Sequence, residues 1–240
     1  DYRDFTKLGR PRLFFAVTAG SMDSMVNHYT AAKRLRSDDA YTPEGKAGMR
    51  PDYCTITYCN ILKKLYPDIP IVIGGIEASM RRLTHYDYWS DKLMPSILVD
   101  SKADLLVYGM GERSILEIAS VFKNTQPVRP LDSLSQHDFE RIPQIAYLTT
   151  NTYNNVQPGY VQLEDDTMLL VLQSYERAVK SKRVHAENFR YIETESNKIN
   201  AATIIQPVGK QCVIVNSPYP TMTTEELDAI YALPFQYHPH

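Results

Sequence analysis

The 240-residue chain is poor in cysteine. It has three, with no C-x-x-C pair and no Cys/His set at zinc or iron–sulfur spacing. An odd number of thiols in a chain this long argues against a disulfide framework and fits a reducing compartment. Cys54 and Cys59 are five positions apart, which on a helix is about 140° around the axis, so they do not face a common metal. Small buried side chains account better for all three. No apolar run approaches the roughly 20 residues of a membrane span, and the first residues lack the basic and apolar regions of a signal peptide. The sequence therefore predicts a cytoplasmic protein with no membrane partner. A net charge of −2 and pI near 6.3 supply no overall reason to bind nucleic acid.

What the chain does contain is a set of short apolar runs that end in glycine. Ile69 to Gly75 and Ala103 to Gly109 are bounded by glycine and followed by helix-like patterns, as strands buried on both faces of a parallel sheet would be. Arg12 to Gly20 is a third. Asp23 or Ser24 then caps a helix predicted to run to Arg34. Ser37 to Arg50 is polar and turn-rich, a long loop for a compact α/β domain. A helix is predicted from Pro51 to about Leu65, another from Glu77 to Leu83, and an amphipathic one from Glu112 to Phe122. Asn124 to Pro143 reads as a boundary, and Gln144 to Thr149 as a strand. The remainder differs in kind. Asp166 to about Lys198 is a long charged helical pattern, Ala202 to Val215 a hairpin around Pro207 to Lys210, and Thr223 to Glu226 a helix start. The predicted organisation is α/β: a Rossmann-like, mostly parallel sheet with flanking helices over 1–150, then a long helix and a β-hairpin over 151–240.

In such folds ligands lie beyond the carboxyl ends of the strands, and the candidate site residues follow from that. Gly74 and Gly75 before Glu77 place free amides at a helix start, which suits an anion or a cofactor edge and equally makes a tight turn. Gly109, Gly111 and Glu112 repeat the form, but Ser114 stands where a G-x-G-x-x-G fingerprint needs its third glycine. Gly45-Lys46 fails as a phosphate loop, because Ala47 replaces the Ser or Thr and Ala40 the first glycine. Arg81, Arg82, His85, Tyr86, Asp87, Tyr88 and Trp89 form a run of donors and rings able to hold a planar ligand or a phosphate, or else to plug the sheet or make a subunit contact. Asp23 and Asn27 belong to a polar cluster after the first strand, only part of which a helix cap explains. In the long helix Leu172, Tyr175, Val179, Ala186 and Phe189 form an apolar seam, while Arg177, Lys180, Lys182, Arg183 and Arg190 read as a solvated face in preference to a nucleic-acid contact.

Longer blocks carry a resemblance. Val17 to Thr30, Arg36 to Pro43, Ile71 to Ser79, His85 to Asp91, Ala103 to Gly109, Glu195 to Lys198 and Leu233 to Phe235 together resemble the YgiQ family of uncharacterised radical SAM proteins across nearly the whole chain. The resemblance implies that the cluster-binding C-x3-C-x2-C motif lies downstream, since no such motif occurs here. The 4Fe-4S cluster and S-adenosylmethionine are then expected in the full-length parent, with no cofactor, no metal and no catalytic residue assigned within this region. It also implies that this region is inactive alone, that its partner is the downstream radical SAM domain, and that an upstream strand and helix are missing. The chain begins at Asp1 and ends without a polar tail, as if cut at both ends. An edge left open would admit a second copy, so homo-oligomerisation stays open. The Gly-Gly-x-Glu turn is similar to cobalamin-binding-like modules ahead of several radical SAM domains, although the Asp-x-His-x-x-Gly cobalt-ligand motif is absent. The site expected is a strand-end loop cluster of Asp23, Asn27, Gly74, Gly75, Glu77, Arg82, His85, Asp87, Gly109, Gly111 and Glu112. The alternatives are a self-contained nucleotide- or cofactor-binding module and a structural or assembly domain.

Overall fold

The computed structural model describes residues 2–7, 9–124, 139, 141–150, 152–153, 156–164 and 167–234. One eight-stranded mixed sheet organises them, with strand order β1-β2-β5-β6-β10-β9-β8-β7. Strands β1 (Phe15–Val17), β2 (Ile71–Ile73) and β5 (Leu105–Val107) form a parallel block whose last two members have every residue buried. Three-residue strands of Ile, Leu and Val suffice there, because both faces are covered and no polar alternation is needed. Antiparallel β6 (Ile145–Thr150) joins β5 to β10 (Gln211–Val215), which pairs with β9 (Thr203–Val208) as the predicted hairpin. β8 (Met168–Val171) runs parallel to β9, and β7 (Gly159–Gln162) closes the order beyond it.

Helices cover both faces. Helix α1 (Tyr2–Thr6), α3 (Cys54–Leu65), α4 (Gly75–Met80) and α5 (Ile97–Ser101) lie on the face formed by Ile71, Ile73, Leu106 and Val213. Helix α6 (Glu112–Asn124) covers the face of Val72, Leu105, Val107 and Ile145 through Ile118 and Phe122. Every pleat position of the central strands therefore has a partner layer.

Three expectations need correction. Helix α2 stops at His28, having begun at Ser24; Tyr29 is extended, and the chain turns back through a bridge between Tyr29 and Leu35. The long helix is not continuous: Met168–Val171 is strand β8, and helices α7 (Tyr175–Lys180) and α8 (Lys182–Ser196) follow, separated by Ser181, which caps α8. The seam of that helix also differs. Val179 and Phe189 are 51% and 57% exposed, whereas Ala178, Asn188 and Glu195 are buried. The buried line is partly polar because Asn188 exchanges two hydrogen bonds with the backbone of Gln173 (3.0 and 2.9 Å), and Glu195 accepts from Tyr160 Oη, Lys198 Nζ and the Ala202 amide. A last helix, α9 (Thr224–Tyr231), has the anticipated capping box between Thr223 and Glu226. Most of the Asn124–Pro143 boundary and the Asp166 helix start lie outside the described residues, as do Asn151 and Phe235. No described helix is long and apolar enough to cross a membrane.

Candidate functional site

The carboxyl ends of β1, β2 and β5 open into Thr18–Gly20, Gly74-Gly75 and Gly109–Gly111. Gly75 has φ +82°, and a Cβ there would lie 2.5 Å from Thr18 Oγ1, so the close approach of the first two loops requires glycine. Gln144, itself at φ +64°, donates Nε2 to the carbonyls of Tyr108 (2.7 Å) and Met110 (2.6 Å) and pins the third loop. On the α6 side these loops border a cavity of about 390 Å³ that Gly74, Gly75, Gly109, Gly111 and Glu112 line. Glu112 Oε2 is buried there without a hydrogen-bond partner. A carboxylate beside glycine amides disfavours a phosphate and offers an acceptor to hydroxyl or amine donors.

The remaining candidates stand on the other side of α4. Asp23 caps α2 with Oδ1 (Met25 N 2.9 Å, Val26 N 3.2 Å) and pairs its other oxygen with Arg81. Glu77, 1% exposed, accepts the amides of Ser24 (2.7 Å) and Thr55 (3.1 Å), the starts of α2 and α3. Asn27 donates to Asp39 (2.8 Å), which also takes Arg50 Nε (2.8 Å) and the Tyr41 amide (2.9 Å). Burial pushes the Asp39 carboxyl up, but these donors outweigh it and hold it below the ordinary value. The Asp39 and Asp52 carboxylates flank the buried His28 ring at 3.4 and 3.2 Å. The Ser37–Arg50 loop is thus ordered by Asp39, an anchor that no spacing pattern announced.

After α4 the chain forms a small antiparallel hairpin, β3 (His85–Asp87) and β4 (Lys92–Met94). Asp87 accepts Tyr53 Oη (2.8 Å), Ser90 N (2.9 Å) and Ser90 Oγ (2.5 Å) through one oxygen. Burial raises its pKa, but those bonds, with Arg81 nearby, lower it by more, so the net direction is down. His85 Nδ1 donates to the Leu83 carbonyl at 3.1 Å, leaving Nε2 as an acceptor, and burial keeps its pKa below the usual value. Between α2 and this hairpin lies a cavity of about 460 Å³ bordered by Asp23, Arg81, His85 and Asp87. A second, of about 400 Å³, shares Arg81 and His85 and reaches Tyr53 and Asp100.

Thus the eleven candidates do not form one site. Gly74, Gly75, Gly109, Gly111 and Glu112 border the crevice on the α6 side; Asp23, His85 and Asp87 border the hairpin cavity. Asn27, Glu77 and Arg82 line neither. Arg82 stacks over the Tyr108 ring (5.0 Å) and donates to the Ser79 carbonyl (2.6 Å), tying α4 to the Gly109 loop. Arg81, which the pattern placed beside Arg82 without distinction, and Arg36 are the cations that reach the hairpin cavity.

The thiols do not fit an iron–sulfur cluster. Cys54 and Cys59 belong to α3 on one face of the sheet and Cys212 to the core of the other. Burial raises all three pKa values, to about 12 for Cys59 and about 11 for Cys212, which keeps the metal-free side chains protonated at neutral pH. Among the described residues no group of three or more His, Cys, Asp or Glu could hold a metal ion.

Comparison with known proteins gives a consistent picture. The family described as Radical SAM N-terminal matches residues 1–240. Relatives include a UPF0313 protein of Bacteroides thetaiotaomicron, 52% identical over 244 residues, which covers all of this chain and 38% of that protein. A UPF0313 protein of Porphyromonas gingivalis is 52% identical over 240 residues, covering all of this chain and 35% of its own length. One from Geobacter sulfurreducens is 44% identical over 236 residues, 98% of this chain and 36% of its own. The chain therefore spans little more than a third of the length of these curated relatives. No solved structure matches it.

Proposed function

Since the chain belongs to the radical SAM N-terminal family, we propose that it is the accessory region of a radical SAM iron–sulfur enzyme, held against a downstream catalytic domain of the same polypeptide. The observation that carries this reading is the match along all 240 residues by relatives in which this segment is only 35–38% of the protein. The 4Fe-4S cluster and S-adenosylmethionine, which supply one-electron cleavage chemistry in this class, belong to the downstream part, because the three thiols here are buried and separated. Alone, this region carries out no radical chemistry. The protein works in the cytoplasm, consistent with its reduced, buried thiols.

The loop-bearing part, 1–150, presents its strand ends to the catalytic domain, and 151–240 leads the chain toward it. Met22, Val26, Ile76, Met80 and Met110 lie on the strand-end loops or on the helices that begin there, and each is between 45% and 67% exposed. Apolar side chains gathered at one edge of a sheet support an interdomain surface.

The test is anaerobic reconstitution of the full-length protein with iron and sulfide, followed by assay of S-adenosylmethionine cleavage to 5'-deoxyadenosine. Cleavage that survives Ser at Cys54, Cys59 and Cys212 but not loss of the downstream cysteines is the expected result. Absence of a cluster and of cleavage, where a control enzyme works, overturns the reading.

A further inference from the structure

We propose that the cavity of about 460 Å³ between α2 and the β3–β4 hairpin is a nucleotide slot, which takes a planar base on its aromatic wall and an anionic phosphate at Arg36. The inference deepens the accessory-region reading by giving that region a ligand of its own.

The aromatic wall is built before any ligand arrives. Tyr29, Tyr86, Tyr88 and Trp89 line the cavity. The three hydroxyls are tethered: Tyr29 to Asp52 (2.9 Å), Tyr86 to Asp91 (2.5 Å) and Tyr88 to the Ala31 carbonyl (2.6 Å). Lys33 holds the Trp89 carbonyl at 3.2 Å, and the Trp89 ring leans on those of Tyr29 (5.5 Å) and Tyr88 (5.2 Å). With their edges fixed and Tyr86 and Tyr88 still 53% and 47% exposed, the rings present surface to a partner at small entropic cost, one face of Tyr88 being taken by Lys33 Nζ at 4.7 Å. Stacking on fixed aromatic faces is how unpaired bases are held.

The polar groups decide the charge of the ligand. Both carboxylates of the cavity are already engaged, Asp23 by Arg81 and two amides and Asp87 by Tyr53 and Ser90. Only Asp87 Oδ1 is left without a hydrogen bond, so a cationic ligand finds one carboxylate oxygen beside two arginines. The donors are only partly spent, Arg81 giving one terminal nitrogen to Asp23. Arg81, 8% exposed, keeps a buried Nε with no partner. Arg36 fixes its Nε between the carbonyls of Val26 (3.1 Å) and Tyr29 (3.2 Å), which aims its guanidinium and leaves the two terminal nitrogens for an anion. The crevice on the α6 side has the opposite character, with glycine amides beside the unpartnered Glu112 oxygen, and is not this slot.

The test uses the full-length protein and isothermal titration with AMP, GMP, CMP and UMP, the four nucleosides, and a single-stranded RNA trinucleotide. A mononucleotide binding below about 100 μM, weakened about tenfold or more by Trp89→Ala and by Arg36→Gln, is the expected result, that factor being of the size a lost base stack produces. Glu112→Gln leaves it unchanged, and nucleosides bind at least about tenfold more weakly than their phosphates. If only the trinucleotide binds, with the same two sensitivities, the nucleotide chemistry stands and its source is a nucleic-acid strand. Binding that ignores Trp89→Ala and Arg36→Gln, binding lost in Glu112→Gln, or no binding by protein of unaltered circular dichroism overturns the proposal. Because S-adenosylmethionine cleavage is measured separately, cleavage without nucleotide binding sinks the slot alone, and binding without cleavage sinks the enzyme reading alone.

Discussion

The carboxylate of Glu77 accepts the backbone amide of Ser24 at 2.7 Å, across 53 positions of sequence, while its other oxygen takes the amide of Thr55. One side chain thus caps two helices that begin after different loops, satisfying donors that would otherwise be orphaned in a dry interior. Glu77→Ala leaves both amides unpaired and is expected to cost about 3 kcal/mol, from the range for hydrogen bonds to charged groups and unsatisfied buried donors. Glu77→Gln, whose single carbonyl oxygen serves one of the two amides, costs less. Urea unfolding of the full-length protein checks the order; equal stability of Glu77→Ala and the parent contradicts it.

Gly74 and Gly75 are adjacent but not equivalent. A methyl at Gly74, with φ −159°, meets only the Val107 carbonyl at 3.5 Å, whereas at Gly75 it requires φ +82° and runs into Thr18 Oγ1. Gly75→Ala is expected to destabilise by about 1–3 kcal/mol and Gly74→Ala by well under that. Adding Thr18→Ala to Gly75→Ala removes the clash and not the backbone strain, so the double variant recovers only part of the loss, a coupling that a double-mutant cycle measures.

Burial holds His85 below its ordinary value of 6.5, with its backbone bond to Leu83 opposing that direction. The unfolded chain takes up a proton that the folded one refuses, so the His85 contribution to stability is complete above about 6.5 and is lost as pH falls below it. His185, lowered by burial, adds in the same window. Asp39 and Asp87, held below 3.8, extend the decline to lower pH. Melting temperature measured from pH 7.5 to 5.5 therefore decreases, and His85→Gln flattens part of the slope while keeping a donor for Leu83. An unchanged slope in His85→Gln removes His85 as a source.

Cys54, Cys59 and Cys212 are each 0% exposed and have raised pKa values. A thiol reagent at pH 7.5 should label none of them in the folded protein within minutes and all three in denaturant. Mass spectrometry of the peptides containing them reads this directly; rapid native labelling of Cys59 contradicts its burial.

What was legible in the sequence was whatever depends on nearest neighbours in the chain. The glycine-terminated runs at Ile71 and Leu105 announced buried strands because no polar residue interrupts them, and Thr223 with Glu226 announced a cap. Strand β8 was hidden because Met168–Val171 is too short to carry a period, and its identity as strand comes from pairing with β9 and β7. Helix α2 was over-extended because its end is set by distant partners: Asp52, which holds Tyr29, and Asp39, which holds Asn27. Pattern picks out the candidate residues one by one but not their division between two cavities, because that division is set by the packing of loops distant in sequence. Arg36 carries no such signal of its own, since its orientation follows from the two carbonyls that hold its Nε.

Strand β6 has β5 on one side and β10 on the other. A strand completed at residue 150 therefore waits for residues 211–215 before both of its edges are satisfied. During synthesis, at roughly 5–20 residues per second, the parallel block of β1, β2 and β5 would leave the ribosome with β6 as a temporary open edge for some seconds. The order of manufacture thus makes this region vulnerable to pairing with other nascent chains until Val215 emerges, and any pause in translation placed before that residue lengthens the exposure.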